Sequence, residues 1–451
     1  MPPEYPGPPL PDPGGDRHVT DPGGDRHVTD PVEELIAFIE ASPTPWHAAH
    51  NAAGILAEAG FVPLRPSEAF EGVESGFVLR GGSLVAWHGA PGAGGRPFRA
   101  IGAHTDSPGL RVRPRPVHGS EGIVQLSVEP YGGLLVNSWL DRDLSLAGRV
   151  VVSDPDAPGG RATRLFHHRD PVLRVAQLAI HLDRDANDGL KLDRQRHIQP
   201  IWALGEPGPG DFSAFLASEV DVEPLQVLSW DVQLCDVQRP SRIGRSHELL
   251  AAPRLDNLCS CYGALRALVD ARRAGRGAVV VLNDHEEVGS VSATGAVGAW
   301  LAQVLERVAG GNGGSRSELL AALSGSMLLS ADMAHATHPN YPERHEPSHH
   351  VAMGGGPVIK HNVNQRYATE AATAAAFRDA CGTAGVPVQE YSHRGDLPCG
   401  STIGPASAAA LAIDTLDVGM AQLSMHSIRE LMACSDVEQM CRAFTAWFEN
   451  D

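Results

Sequence analysis

The chain has 451 residues, 42% hydrophobic and 20% charged, with a formal net charge of −18. That length exceeds one ordinary core and predicts two domains. The acidic balance argues against nucleic acid as a partner, and no apolar run reaches the ~18 residues that would span a membrane.

Residues 12–20 recur unchanged at 21–29, a polar repeat rich in turn formers that carries His18 and His27. With almost nothing to bury, residues 1–29 read as a disordered tail rather than a metal site. This N-terminus lacks the apolar core of a signal peptide, and seven cysteines stand at irregular positions. Both features predict a cytoplasmic protein with reduced thiols. Cys259 and Cys261 have no second pair to make a metal site and read as buried structural thiols.

Order begins at Asp30-Pro31-Val32-Glu33, with an N-cap, a first-turn proline and an early acid. A second helix starts at Thr44-Pro45 and stops before Gly60. Residues 84–88 and 98–103 read as short strands, the second leading into His104. From about 109 to 245 the pattern turns to alternation, as in Val124-Gln125-Leu126-Ser127-Val128-Glu129 and, less cleanly, Leu225 to Val232. One helix is expected there, from Pro171 to Leu182. After residue 250, helices alternate with buried strands at 278–283 and 327–332, as in an α/β sheet. Three glycines at 354–356, near His349 and His350, lack the Lys-Ser/Thr of a phosphate loop and read as a flexible turn. Two capping boxes, Ser427-x-x-Glu430 and Ser435-x-x-Glu438, predict helix starts near the end. The simplest architecture is a mixed-sheet α/β domain (residues 30–108 and 246–451) interrupted by an inserted β-rich domain (109–245).

Chemistry concentrates in Asp284-His285-Glu286-Glu287-Val288-Gly289-Ser290, directly after the apolar run 278–282. Two adjacent carboxylates at a strand end are costly unless their charge is compensated. On an extended segment they point in opposite directions, so one can bind a metal while the other faces a reacting water. His104/Asp106, Asp256, Asp332/His335 and His426 add metal-type side chains at strand ends or in short loops. Strand ends are where open α/β sheets place ligands. Asp106, two residues beyond His104, is expected to orient its ring rather than to bind metal. His426 precedes an expected helix start, whose dipole would favour the neutral ring that a metal requires.

Together His104-Thr-Asp-Ser-Pro108, Arg254-Leu-Asp-Asn257, Asp284 to Ser290, Asp332-Met-Ala-His335, His338-Pro-Asn-Tyr341, Pro357-Val-Ile-Lys360, Asn364-Gln-Arg-Tyr367 and Met425-His-Ser-Ile-Arg-Glu430 carry a resemblance. In this order, over roughly residues 31–451, the chain resembles the aspartyl aminopeptidase family of dinuclear zinc metallopeptidases. The resemblance implies two Zn²⁺ per subunit, with other divalent metals as substitutes. Asp256 would bridge them, His104 and Asp332 would complete one position, and Glu287 and His426 the other. Glu286 would be the general base, with Asp106 in support. Lys360 and Met425 would meet the first substrate residue, which is preferably Asp or Glu. His181 would reach a neighbouring subunit's active site and contact the substrate carbonyl, although Gln177 departs from a histidine found there in some relatives. The family assembles into large homo-oligomers, and a dodecamer is implied.

Charge bookkeeping agrees that recognition needs Lys360. Two Zn²⁺ are balanced by Asp256, Glu287, Asp332 and ionised Glu286, so the metals alone do not select an acidic side chain. Two other readings are an aminopeptidase of broader preference and a catalytically silent metal-binding assembly protein. The complete ligand set together with Glu286 argues against the second.

Overall fold

The computed structural model describes residues 30–271 and 277–449. The tandem repeat, with His18 and His27, lies outside them. The first two helices begin as their caps dictate. Pro31–Ala41 starts with the Asp30 side chain accepting from the Val32 amide, and Pro45–Glu58 starts with Thr44 accepting from the His47 amide.

Nine strands form the main sheet, and its centre is parallel. Ala278–Asn283, Arg99–His104, Met327–Ala331 and Asp414–Gly419 lie side by side in that order. Strands buried on both faces read as continuous apolar runs, and Ala278–Asn283 is buried at every position. Antiparallel pairings flank this centre, which makes the sheet mixed. Leu255–Ala271, Ala371–Ala384, Cys434–Glu449 and the first two helices share a core on one face. Trp300–Gly311 and Arg316–Leu323 pack on the other. The mixed-sheet α/β expectation is met.

A second, fully antiparallel sheet has six strands, all between Gly109 and Asp236. Its helix is Asp211–Glu219 rather than residues 171–182. Segment 171–176 instead runs extended and bridges Leu144 and Ile201. Beyond it Leu178, Ile180 and Leu182 stay exposed at 57%, 46% and 75%. Short helices gain most of their stability by burying an apolar face. Leu173 and Val175 are buried as parts of that extended segment, whereas residues 176–182 are exposed and offer a short helix no buried apolar face among the described residues. A small five-stranded sheet joins Leu249–Ala252, Glu430–Ala433 and Ala421–Leu423 beside the main one.

Glu430 therefore opens a strand, and the first expected capping box starts no helix. The glycine run is also more constrained than expected. The amides of Gly354 and Gly356 both donate to the buried Asp436 carboxylate. Every cysteine is free, and Cys235, Cys259, Cys261 and Cys381 are buried.

Candidate metal centre

The parallel strands deliver the cluster at their C-terminal ends. His104 ends its strand opposite Asn283, and Asp332 follows Ala331 with its amide tied to the Val418 carbonyl at 2.9 Å. Glu286 and Glu287 do not continue the extended strand. They sit in one 3-10 turn, Glu286–Val288, flanked by left-handed His285 (φ +67°) and Gly289 (φ +96°). What holds the turn is Asp106. Its two carboxylate oxygens accept the Glu286 and Glu287 amides, each at 3.1 Å, and the Tyr131 hydroxyl donates to it at 2.7 Å.

Asp106 also orients His104, but through its backbone. The His104 Nδ1 lies 2.9 Å from the Asp106 carbonyl and 3.6 Å from the carboxylate. A carbonyl only accepts, so Nδ1 carries a proton, and Nε2 is the nitrogen left to ligate a cation that displaces its proton. His426 is set the same way, with Nδ1 donating to the Gly133 carbonyl at 3.1 Å. It sits in a left-handed turn (φ +66°) before a strand, so this hydrogen bond selects the tautomer and no helix dipole is involved.

Both Nε2 nitrogens converge on Asp256. His104 Nε2 is 3.3 Å from Asp256 Oδ1 and 3.7 Å from Asp332 Oδ1. His426 Nε2 is 3.5 Å from Asp256 Oδ2 and 3.5 Å from Glu287 Oε2. The two oxygens of one carboxylate thus face two ligand pairs, His104/Asp332 and His426/Glu287, and His104 also groups with Glu286 and Glu287. Ligands ~2.0–2.2 Å from a tetrahedral zinc stand roughly 3.3–3.5 Å apart, which is the spacing of most of these pairs. Asp256 Oδ1 and Glu287 Oε1 are buried without a hydrogen-bond partner among the described residues, as expected of atoms that await a cation. The residues fit zinc.

The electrostatics are those of a pocket short of positive charge. Burial alone would lower His104, but Asp106, Asp256 and Asp332 outweigh it and raise this ring well above its usual range. His426 is likewise pushed up to about 10, burial being overcome by Asp256 and Glu287. Burial drives Glu286 up to about 8, and burial with Asp256 beside it raises Glu287 well above the carboxylate range. Cations entering here displace protons and let both glutamates ionise.

Lys360 is no solvated loop lysine. It lies buried in the strand Val358–His361, with Nζ donating to the Met333 carbonyl at 3.2 Å, 3.7 Å from Asp332 Oδ2 and 5.0 Å above the Tyr367 ring. Met425 is half-buried against the large core, one residue before His426. His181 stands apart, exposed in the segment that was expected to be helical. Sequence reasoning missed Tyr131 and Glu430. Glu430 accepts the Asp256 amide at 2.9 Å and the His426 amide at 2.7 Å. It closes the segment Met425-His-Ser-Ile-Arg-Glu430, but its Ser-x-x-Glu spacing points to a helix cap rather than to this role.

The family model described as aminopeptidase I zinc metalloprotease (M18) matches residues 38–448. A Streptomyces avermitilis protein described as a probable M18 family aminopeptidase 2 is 49% identical over 425 residues, covering 92% of this chain and 97% of its own length. A Mycobacterium tuberculosis protein of the same description is 48% identical over 423 residues, covering 92% and 96%. Among solved structures, the fold matches one from a cryo-EM complex of Ape4 and Nbr1 with a TM-score of 0.89 and 36% identity, over 93% of this chain and 86% of that one. It also matches the mApe1 dodecamer of S. cerevisiae with a TM-score of 0.82 and 27% identity, over 93% and 97%.

Proposed function

The chain belongs to the M18 family of zinc metalloprotease aminopeptidases, and on that premise we propose that it removes N-terminal Asp or Glu from peptides, using two zinc ions per subunit. The observation that carries this reading is the convergence of His104, Asp256, Asp332, Glu287 and His426 beside Glu286, which none of the described side chains engages in a hydrogen bond.

His104 and Asp332 would hold one ion, His426 and Glu287 the other, with Asp256 between them. When bound, zinc supplies Lewis acidity toward the scissile carbonyl and acidifies water. Glu286 takes a proton from the attacking water and passes it to the leaving amine. Asp106 keeps that carboxylate in place by holding the amides of its turn. Lys360 offers a desolvated cation beside Asp332, suited to the side-chain carboxylate of the first residue, and Met425, one residue before His426, would meet the same substrate residue.

Residues 109–245 are read as an inserted domain through which the chain forms a large homo-oligomer. The exposed Leu178, Ile180 and Leu182 around His181 support this, as does the dodecamer of the S. cerevisiae relative. Among the described residues no helix is long and apolar enough to cross a membrane. The free cysteines support a cytoplasmic location.

Glu286→Gln tests the base. Metal content stays at the wild-type value while turnover falls at least ~100-fold, the contribution of general acid–base catalysis. A wild type with two bound ions and no peptidase activity would favour a scaffold role instead.

A further inference from the structure

Two buried carboxylates bracket the metal cluster, and neither is placed as a ligand. Asp106 accepts both amides of the Glu286-Glu287 turn. Glu430 does the same for the opposite wall, but its two amides come from segments 170 residues apart. Its Oε2 accepts the Asp256 amide at 2.9 Å, and its Oε1 accepts the His426 amide at 2.7 Å. The side chain is 2% exposed and sits at the start of the strand Glu430–Ala433, whose neighbour Leu249–Ala252 leads directly toward Asp256. One rigid group therefore fixes the spacing between the backbone of Asp256 and the backbone of His426. Those residues supply two of the three side chains in the group Asp256, Glu287 and His426.

We propose that Glu430 is a positioning residue that sets the Asp256–His426 separation and so the zinc affinity of the position formed with Glu287. This rests on the two-ion reading above. The argument is one of acceptor count. A carboxylate has an acceptor oxygen for each amide. A carboxamide has one oxygen, and its NH₂ would face an N–H, so one of the two loops is released. Groups that orient metal ligands typically change metal affinity 10–100-fold when removed. The His104/Asp332 position shares only Asp256 with this clamp and is affected less.

The test compares Glu430→Gln with Asp436→Asn. Asp436 is also buried and also accepts two backbone amides, from Gly354 and Gly356, but none of the metal-ligand candidates is among its donors. Zinc titration calorimetry and metal content after gel filtration are read on the full-length protein. Wild type and Asp436→Asn bind two ions per subunit. Glu430→Gln keeps one, and binds the second ~10–100-fold more weakly. Two ions bound by Glu430→Gln as tightly as by wild type overturn the proposal, whatever the change in melting temperature. A wild type that does not bind two ions overturns the two-ion reading instead. If Glu430→Gln does not fold, Gln422→Leu serves, since Gln422 Nε2 lies 3.5 Å from Glu430 Oε1 and touches neither loop amide. It weakens the second ion several-fold, and unchanged affinity counts against Glu430.

Discussion

Replacing Lys360 with Met removes a cation that the fold encloses between two carboxylates. Asp332 lies 3.7 Å from its amine, and Asp417 stands opposite it on the neighbouring strand. Met keeps the length and apolar stem, so the packing of Val358–His361 is little disturbed. Truncating one partner of a buried charge pair costs about 2–5 kcal/mol. For a substrate carboxylate bound to Lys360, that is roughly 30- to 4,000-fold in kcat/KM, at ~1.4 kcal/mol per tenfold. A substrate with a neutral first residue has no such pair to lose. The assay is kcat/KM on Asp-, Glu-, Ala- and Leu-anilides with metal-loaded wild type and Lys360→Met, with zinc content measured alongside. Acidic substrates fall at least ~30-fold more than neutral ones. Equal losses on all four, above all with lost zinc, would make Lys360 a support for Asp332 and refute its role in recognition.

His181→Ala lowers kcat about 100-fold, as expected for loss of a hydrogen-bond donor to the substrate carbonyl, with zinc content and melting temperature unchanged. If, as proposed, each active site takes His181 from a neighbour, co-expression with Glu286→Gln subunits restores part of that activity; no recovery would refute the exchange between subunits. Burial, helped by the positive charges of His167, His50, Arg254 and Arg169, holds His47 down at about 3. The unfolded chain binds this proton near 6.5, so the stability present above that pH is lost as pH falls toward about 3, by up to ~1.4 kcal/mol per unit. Denaturant unfolding at several pH values shows this slope for wild type and a flatter one for His47→Gln; parallel slopes would refute it.

Local chemistry was legible in the sequence. Asp30 and Thr44 cap the helices they precede, because a cap is settled within three residues. Central strands announced themselves as apolar runs, since burial on both faces leaves no room for alternation. Metal-type residues at strand ends marked the site, because a parallel sheet gathers those ends in one place. The losses came where distant partners decide. Ser427-x-x-Glu430 has the spacing of a capping box, yet Glu430 is occupied by the Asp256 and His426 amides. Glu286 and Glu287 left the extended path because Asp106 draws both of their amides toward itself. Residues 171–182 read as a helix, but among the described residues nothing covers Leu178 or Leu182, and Leu173 and Val175 are buried in an extended segment instead. Tyr131 gave no signal, since its hydroxyl matters only through Asp106, in the loop that follows the strand Arg99–His104.

The most direct test of the central claim is a panel of X-peptides, differing only in the first residue, assayed on the zinc-loaded protein. The account predicts the highest kcat/KM for Asp and Glu, well above isosteric Asn and Gln, with all activity lost to chelation. Comparable rates for Asn and Asp, or a preference for Leu, would contradict it.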